Sequence, residues 1–130
     1  MESTTTESLA RAVADLAAGK KAEDIVILEM AEAVGYTDYF VIVTGANPRL
    51  TKAIAEEIVI KLRPVRHPSR VEGERDAEWI LIDYLDVVVH VLTPAARDFY
   101  RLEALWGDVP RLPLSEPSAQ GLKAAASTQA

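Results

Sequence analysis

The sequence contains no cysteine among its 130 residues. Disulfide frameworks, zinc–thiolate sites and catalytic thiols are therefore excluded. It also lacks an excess of positive charge, since 14 basic residues face 20 acidic ones and the net charge is −6. Surfaces that follow nucleic-acid phosphates are usually basic. The charge balance therefore favours a basic protein as partner and argues against direct nucleic-acid binding.

Long hydrophobic runs are also missing, because Asp, Glu or Lys interrupts each apolar stretch before it could span a membrane. Residues 1–8 are polar and acidic, unlike a signal peptide, which begins with positive charge and continues with an apolar run. A hydrophobic content of 49% is typical of globular proteins, and the length suits one domain. We expect a soluble, cytoplasmic, single-domain protein with no membrane partner.

The apolar periodicity predicts three helices at residues 8–19, 48–63 and 94–106. Asn47-Pro48 and Thr93-Pro94 each place a capping side chain before a proline, which is typical of a helix start. On the second helix the predicted buried residues are Leu50, Ile54, Ile58 and Leu62. On the third, Phe99, Leu102 and Trp106 fall on one side, and core burial is favoured for Trp106. Gly107 is expected to end that helix.

Strands are predicted at residues 24–29 and 39–44, with a short edge strand at Val71. From Asp108 onward the composition shifts to Pro, Ser, Ala and Gln, which predicts a disordered tail at residues 108–130. The folded domain is therefore expected to cover residues 8–107. Mixed helices and strands place it in the α/β (α+β) class, as a mixed sheet with flanking helices.

The stretch at residues 79–92 reads as two strands joined by a tight turn. Because successive strand side chains point to opposite faces, alternation separates this hairpin into two surfaces. One surface is wholly aliphatic and is predicted to enter the core: Ile80, Ile82, Val87, Val89 and Val91. The other is half polar and suits a partner: Trp79, Leu81, Asp83, Asp86, Val88 and His90.

Few residues here suggest catalysis. Asp83 and Asp86 could share a metal, but turns often contain aspartate for local hydrogen bonding, and that interpretation is favoured. His90 lacks further ligands nearby in sequence, so we expect a half-exposed strand residue and no metal site. Gly45-Ala46 lies between a strand and a helix, where phosphates can bind. One glycine is weak evidence, and a plain strand-to-helix turn is favoured.

Five segments, taken in order, closely resemble the ribosomal silencing factor family, also called Iojap-like. They are residues 36–45 (YTDYFVIVTG), 52–55 (KAIA), 79–84 (WILIDY), 86–91 (DVVVHV) and 97–106 (RDFYRLEALW). The likeness covers roughly residues 9–106. The chain departs from the family pattern at Leu85, where a turn glycine is expected, because a non-glycine residue disfavours positive φ.

The resemblance implies a fold related to nucleotidyltransferases but without their activity or cofactors. It also implies binding to protein number fourteen on the intersubunit face of the large ribosomal subunit. Such binding would block joining of the small subunit and lower translation when nutrients are scarce. The expected contact residues are Trp79, Leu81, Asp83, Tyr84 and His90, with Arg97 and Tyr100 beside them.

Three alternatives remain open at this stage. One is a factor for large-subunit assembly, which could use the same surface. Another is a Mg²⁺-dependent nucleotidyltransferase-like enzyme using Gly45, Asp83 and Asp86. The absence of two carboxylates one residue apart after Gly45-Ala46 argues against that enzyme. The third concerns the free protein, which could be a monomer or a homodimer.

Overall fold

The computed structural model describes residues 2–114, with side chains from residue 6 onward. Its helices are α1 Glu2–Gly19, α2 Ala31–Val34, α3 Pro48–Leu62, α4 Pro94–Tyr100 and α5 Leu102–Leu105. Its strands are β1 Glu23–Glu29, β2 Tyr39–Thr44, β3 Arg70–Glu72, β4 Trp79–Asp83 and β5 Val87–Leu92. The strands form one sheet in the order β1-β2-β5-β4-β3. The β2–β5 pair is parallel and the other pairs are antiparallel, so the predicted single domain with a mixed sheet is confirmed.

One face of the sheet packs against α1 and α3 and forms the larger hydrophobic core. The aliphatic face of the hairpin lies here as predicted, and each of its members is 0% exposed: Ile80, Ile82, Val87, Val89 and Val91. Full burial of one such side chain contributes about 1.5–3 kcal/mol. This face therefore supplies much of the stability that holds the sheet to its helices.

The start of α3 follows the predicted capping pattern. The Asn47 side chain accepts a hydrogen bond from the Leu50 backbone N–H at 2.9 Å, and Pro48 occupies the first turn. Ile54, Ile58 and Leu62 are buried as predicted, whereas Leu50 is half-buried. The helix is thus positioned by an apolar stripe and a satisfied N-terminus.

The opposite face of the sheet carries a second, smaller core, which the sequence analysis did not anticipate. Its buried members are Leu28, Met30, Phe40, Ile42, Val88, Leu92 and Ala96. Leu102, Trp106 and Val109 pack against them, and Trp106 is half-buried. The expectation that this hairpin face lies open to a partner is therefore wrong for Val88, which is 7% exposed.

The last predicted helix is broken in two at Arg101, whose φ is +53°. The Arg101 N–H donates to the Arg97 carbonyl at 2.9 Å and ends α4, and α5 begins at the next residue. A residue in the left-handed region changes the direction of the chain, so helical spacing no longer holds across it. Phe99 was expected on the apolar side of one continuous helix. It is instead 78% exposed.

Residues 108–114 pack along the edge of β1, so the prediction of a disordered tail is wrong for them. The Glu29 N–H donates to the Pro110 carbonyl at 2.9 Å, and the Leu112 N–H donates to the Ile27 carbonyl at 2.8 Å. Leu112 contacts the larger core and Val109 the smaller one. We call residues 108–114 the edge strap. Residues 115–130, the remainder of the predicted tail, lie outside the described residues.

Candidate partner-binding surface

Trp79 is held in one orientation at the start of β4. Its side chain is half-buried against the smaller core. The indole N–H donates to Nδ1 of His90 on β5 at 3.1 Å, and the ring packs against Tyr100 with centroids 4.6 Å apart. Because the ring is fixed on both sides, little rotamer freedom would be lost if a partner bound its open edge.

Tyr100 and Phe99 extend this aromatic packing outward at the end of α4. Their rings meet edge to face with centroids 5.0 Å apart. Tyr100 is 50% exposed and Phe99 is 78% exposed. Exposed aromatic rings on a rigid support are typical of protein–protein interfaces. We call the surface formed by Trp79, Leu81, Phe99 and Tyr100 the aromatic face.

Leu81 and Asp83 follow Trp79 along the same side of β4. Leu81 is half-buried and lines a shallow cavity of about 270 Å³ with Glu72, Gly73 and Trp79. The Asp83 carboxylate accepts the Leu85 N–H at 2.8 Å and contacts Arg70 at 3.3 Å. Asp83 therefore stabilises the turn and pairs with a neighbouring strand, as the preference of aspartate for turns predicts.

Two residues expected to contact a partner have buried side chains. Tyr84 is 1% exposed and belongs to the larger core. Alternation puts it on the same side as Ile80 and Ile82, so the expectation of an exposed side chain at this position was wrong. His90 is 4% exposed, not half-exposed, because Phe40 and Trp79 cover its ring. Neither side chain can reach a partner without a rearrangement of its core.

Arg97 lies beside Tyr100, as expected, but its guanidinium is occupied within the protein. Its Nε donates to the Glu103 carboxylate at 3.0 Å and its Nη1 donates to the Thr44 hydroxyl at 2.8 Å. Only 11% of its side chain is exposed. The hydrogen bond from Arg97 is the first cause that lowers the pKa of Glu103, and burial opposes it. Arg97 therefore fastens α5 to α4 and to the end of β2.

Close packing against α3 explains the glycine at position 45 without a phosphate-binding role. A Cβ at this position would lie 2.8 Å from Thr51 Cγ2 and 2.9 Å from the Thr51 backbone nitrogen. Thr51 is itself fully buried on α3. The close approach of α3 to the end of β2 thus explains the glycine in structural terms, in line with the favoured strand-to-helix turn.

Two exposed residues that were not among the expected contacts lie at the far end of the hairpin. Leu85 is 64% exposed at its turn and Tyr36 is 69% exposed in the segment before β2. Tyr36 could not be singled out from sequence, because its neighbour across the turn is 49 positions away. Leu85 could have been singled out from sequence, because it stands where the family pattern has a turn glycine.

Within residues 6–114, no group of three or more His, Asp or Glu side chains is arranged to hold a metal ion. The Asp86 carboxylate accepts hydrogen bonds from Arg66 at 2.8 Å and from the Thr6 hydroxyl at 3.2 Å.

Among the helices of the described residues, none is long and apolar enough to cross a membrane.

Comparison with known proteins gives a consistent family relationship. The family model for "ribosomal silencing factor during starvation" matches residues 3–130. The ribosomal silencing factor of Bacillus subtilis is 41% identical over 92 residues, which is 70% of this chain and 78% of that protein.

Two further relatives extend this comparison. A mouse protein named "mitochondrial assembly of ribosomal large subunit protein 1" is 31% identical over 91 residues, covering 67% of this chain and 40% of that protein. A crystal structure from Chromobacterium violaceum is 35% identical with a TM-score of 0.74, covering 82% of this chain and 88% of that one. This chain therefore belongs to the ribosomal silencing factor family.

Proposed function

We propose that this protein represses translation by binding protein number fourteen of the large ribosomal subunit and thereby blocking the small subunit. The proposal rests on the aromatic face, which this member of the ribosomal silencing factor family carries. It places two exposed rings, Phe99 and Tyr100, beside the fixed ring of Trp79. Such a factor acts on ribosomes, so we expect the protein in the cytoplasm.

The energetics of the aromatic face suit such a partner. Aromatic side chains provide a large share of binding energy in interfaces, and their truncation often costs 2 kcal/mol or more. Asp98 is exposed next to Phe99 and Glu72 is exposed beside Leu81. Exposed carboxylates at the rim favour a basic surface over RNA, because phosphates would be repelled.

We propose further that the protein acts by binding and is not an enzyme. The carboxylates considered for catalysis, Asp83 and Asp86, form hydrogen bonds to groups of the chain itself. The relatives named above are called silencing or assembly factors. Detection of a Mg²⁺-dependent nucleotidyl transfer or hydrolysis that disappears in Asp86→Asn would contradict this.

The test is co-sedimentation with purified large subunits together with a subunit-joining assay. Phe99→Ala removes the most exposed ring, so we expect about tenfold or weaker binding and less inhibition of joining, with the melting temperature unchanged. The matched control is Ile60→Ala, which removes an apolar side chain that is 54% exposed on α3. The control should bind like the wild type. Equal binding by both variants would contradict the proposed role of the aromatic face.

A second candidate function, large-subunit assembly, is favoured by the printed name of the mouse relative. The same aromatic face could serve it. Pelleting with mature large subunits and with precursor particles separates the two functions. Binding to mature subunits with inhibition of joining supports silencing, whereas selective binding to precursors supports assembly.

A further inference from the structure

Leu85 adopts a backbone conformation that ordinarily favours glycine. Its φ is +78° at the middle of the three residues joining β4 to β5. A side chain in this region is strained, and an apolar residue that is 64% exposed gains little from burial in return. An exposed leucine here is unfavourable for the isolated fold. Strain of this kind is often retained where the residue has a role in binding.

Tyr36 stands beside this turn on a rigid support. The backbone N–H groups of Asp38 and Tyr39 donate to the Asp86 carbonyl at 2.9 and 3.1 Å. The Met30 N–H donates to the Asp38 carbonyl at 2.8 Å. These bonds tie the segment before β2 to the tip of the hairpin. Tyr36 and Leu85 both line one cavity of about 310 Å³.

A buried polar atom belongs to the lining of the same cavity. Thr37 is 4% exposed, and its hydroxyl has no hydrogen-bond partner within the described part of the chain. Buried hydroxyls are usually paired, because an unpaired one forfeits the hydrogen bonds that water would give it. Thr37 lines the cavity, so a polar group of a bound partner would have to come close to this hydroxyl to complete its hydrogen bonding.

The charge around this cavity is negative. A second cavity of about 220 Å³ shares Ala31 and Asp38 with the first and is also lined by Glu29. Asp38 lines both cavities and Glu29 lines the second, so two carboxylates belong to this lining. Burial raises the pKa of the adjoining Tyr39, and Glu7, Glu29 and Asp38 raise it further, with Arg11 opposing. The paired cavities form what we call the tip groove.

We propose that the tip groove binds an extended, basic segment of a protein partner. An apolar side chain of that segment would lie between Tyr36 and Leu85, and a Lys or Arg would reach Asp38 and Glu29. The acidic lining selects a basic peptide, because nucleic-acid phosphates would be repelled. The proposal rests on the proposed function in one respect: the segment is taken to be presented by the large ribosomal subunit.

The tip groove is separate from the aromatic face. Leu85 follows Trp79 by six positions, and at about 3.3 Å per residue the two lie about 20 Å apart along the strand. A partner that reaches both surfaces would bind with the benefit of two linked contacts. Variants in the two surfaces can therefore be compared independently.

The test combines thermal melting with co-sedimentation on purified large subunits. Leu85→Gly should raise the melting temperature by a few degrees, because the strain is relieved, while binding weakens about tenfold. Tyr36→Ser should leave the melting temperature unchanged and weaken binding to a similar degree. The matched control is Val65→Ser, at a site that is 72% exposed in the loop after α3, and it should change neither quantity.

The charge contribution is tested with Asp38→Asn, which keeps the shape of the side chain. Its binding should be weaker than that of the wild type at low salt, and the difference should shrink at high salt because exposed charges are screened. An unchanged salt dependence would overturn the choice of a basic occupant.

The remaining outcomes separate the two proposals. Wild-type binding by Leu85→Gly and Tyr36→Ser, alongside loss in Phe99→Ala, would overturn only the tip-groove proposal. Failure of the unmodified chain to bind large subunits would overturn the proposed function and this inference together. Sedimentation equilibrium of the free chain tests a different occupant. A dimer that dissociates in Leu85→Gly would show a second copy in the groove, and the basic partner segment would be rejected.

Discussion

The indole N–H of Trp79 donates a hydrogen bond to Nδ1 of His90 across the β4–β5 pair, at 3.1 Å. Indole is only a donor, so Nδ1 must be unprotonated and the proton of the neutral ring resides on Nε2. That Nε2 is buried without a hydrogen-bond partner among the described residues. One contact therefore fixes the orientation of Trp79 and the tautomer of His90.

The first prediction concerns pH. Burial lowers the pKa of His90 to about 4, whereas an unfolded histidine titrates near 6.5. Below about pH 6.5 the unfolded chain takes up a proton that the native chain refuses. The free energy of unfolding should thus fall as pH drops from about 6.5 to 4, by about 3 kcal/mol in all. Urea titrations at pH 7.5 and pH 5 measure the loss.

The control uses the other histidine. His90→Gln should flatten the loss of stability between pH 7.5 and pH 5, whatever its stability at neutral pH. His67→Gln alters an exposed loop residue and should keep the wild-type pH dependence. The same pH dependence in wild type and His90→Gln would mean that His90 does not cause it.

The second prediction concerns the buried hydroxyl of Tyr84. This hydroxyl has no hydrogen-bond partner within the described residues, in the larger core. Removing an unpaired buried polar atom costs no internal hydrogen bond. Tyr84→Phe should therefore leave the free energy of unfolding unchanged or raise it by up to about 1 kcal/mol. A loss above about 1 kcal/mol in urea unfolding would reveal a hydrogen bond made by this hydroxyl.

The third prediction concerns the paired contact of Arg97 with Glu103. Arg97 donates to the two carboxylate oxygens of Glu103 from Nε and from Nη2. Lysine keeps the charge but cannot reproduce these two parallel hydrogen bonds, so Arg97→Lys should destabilise the fold by about 1–3 kcal/mol. A double-mutant cycle with Glu103→Gln should give a coupling energy of similar size. The comparison pair is Glu7 with Arg11, whose side chains are 41% and 29% exposed. Its coupling should be only about 0.3–0.5 kcal/mol. Equal couplings would contradict the structural role of Arg97.

The fourth prediction concerns the edge strap. A chain ending at residue 107 loses two backbone hydrogen bonds to β1 and the packing of Val109 and Leu112. At about 1 kcal/mol for each hydrogen bond and each half-buried side chain, the loss should be about 3–4 kcal/mol. A chain ending at residue 114 keeps these contacts and serves as the reference. Matching denaturation midpoints for the two chains would show that the strap contributes no stability.

Local patterns determined the elements and the deeper core. The aliphatic side of the hairpin was correctly predicted because alternation along a strand depends only on backbone geometry. The caps at Asn47 and Thr93 formed as predicted, since a cap and the N–H that it accepts lie three residues apart. The family was also recognisable from sequence, because five motifs occur in the expected order.

Contacts between distant parts of the chain were decided only by the tertiary structure. Burial of His90 depends on Phe40 and Trp79 from two other strands, and exposure of Phe99 depends on the break at Arg101. The edge strap is ordered because β1 has a free edge whose N–H and C=O groups need partners. Periodicity assigns a side chain to a face. It does not determine what covers that face, because the cover comes from residues far away in sequence.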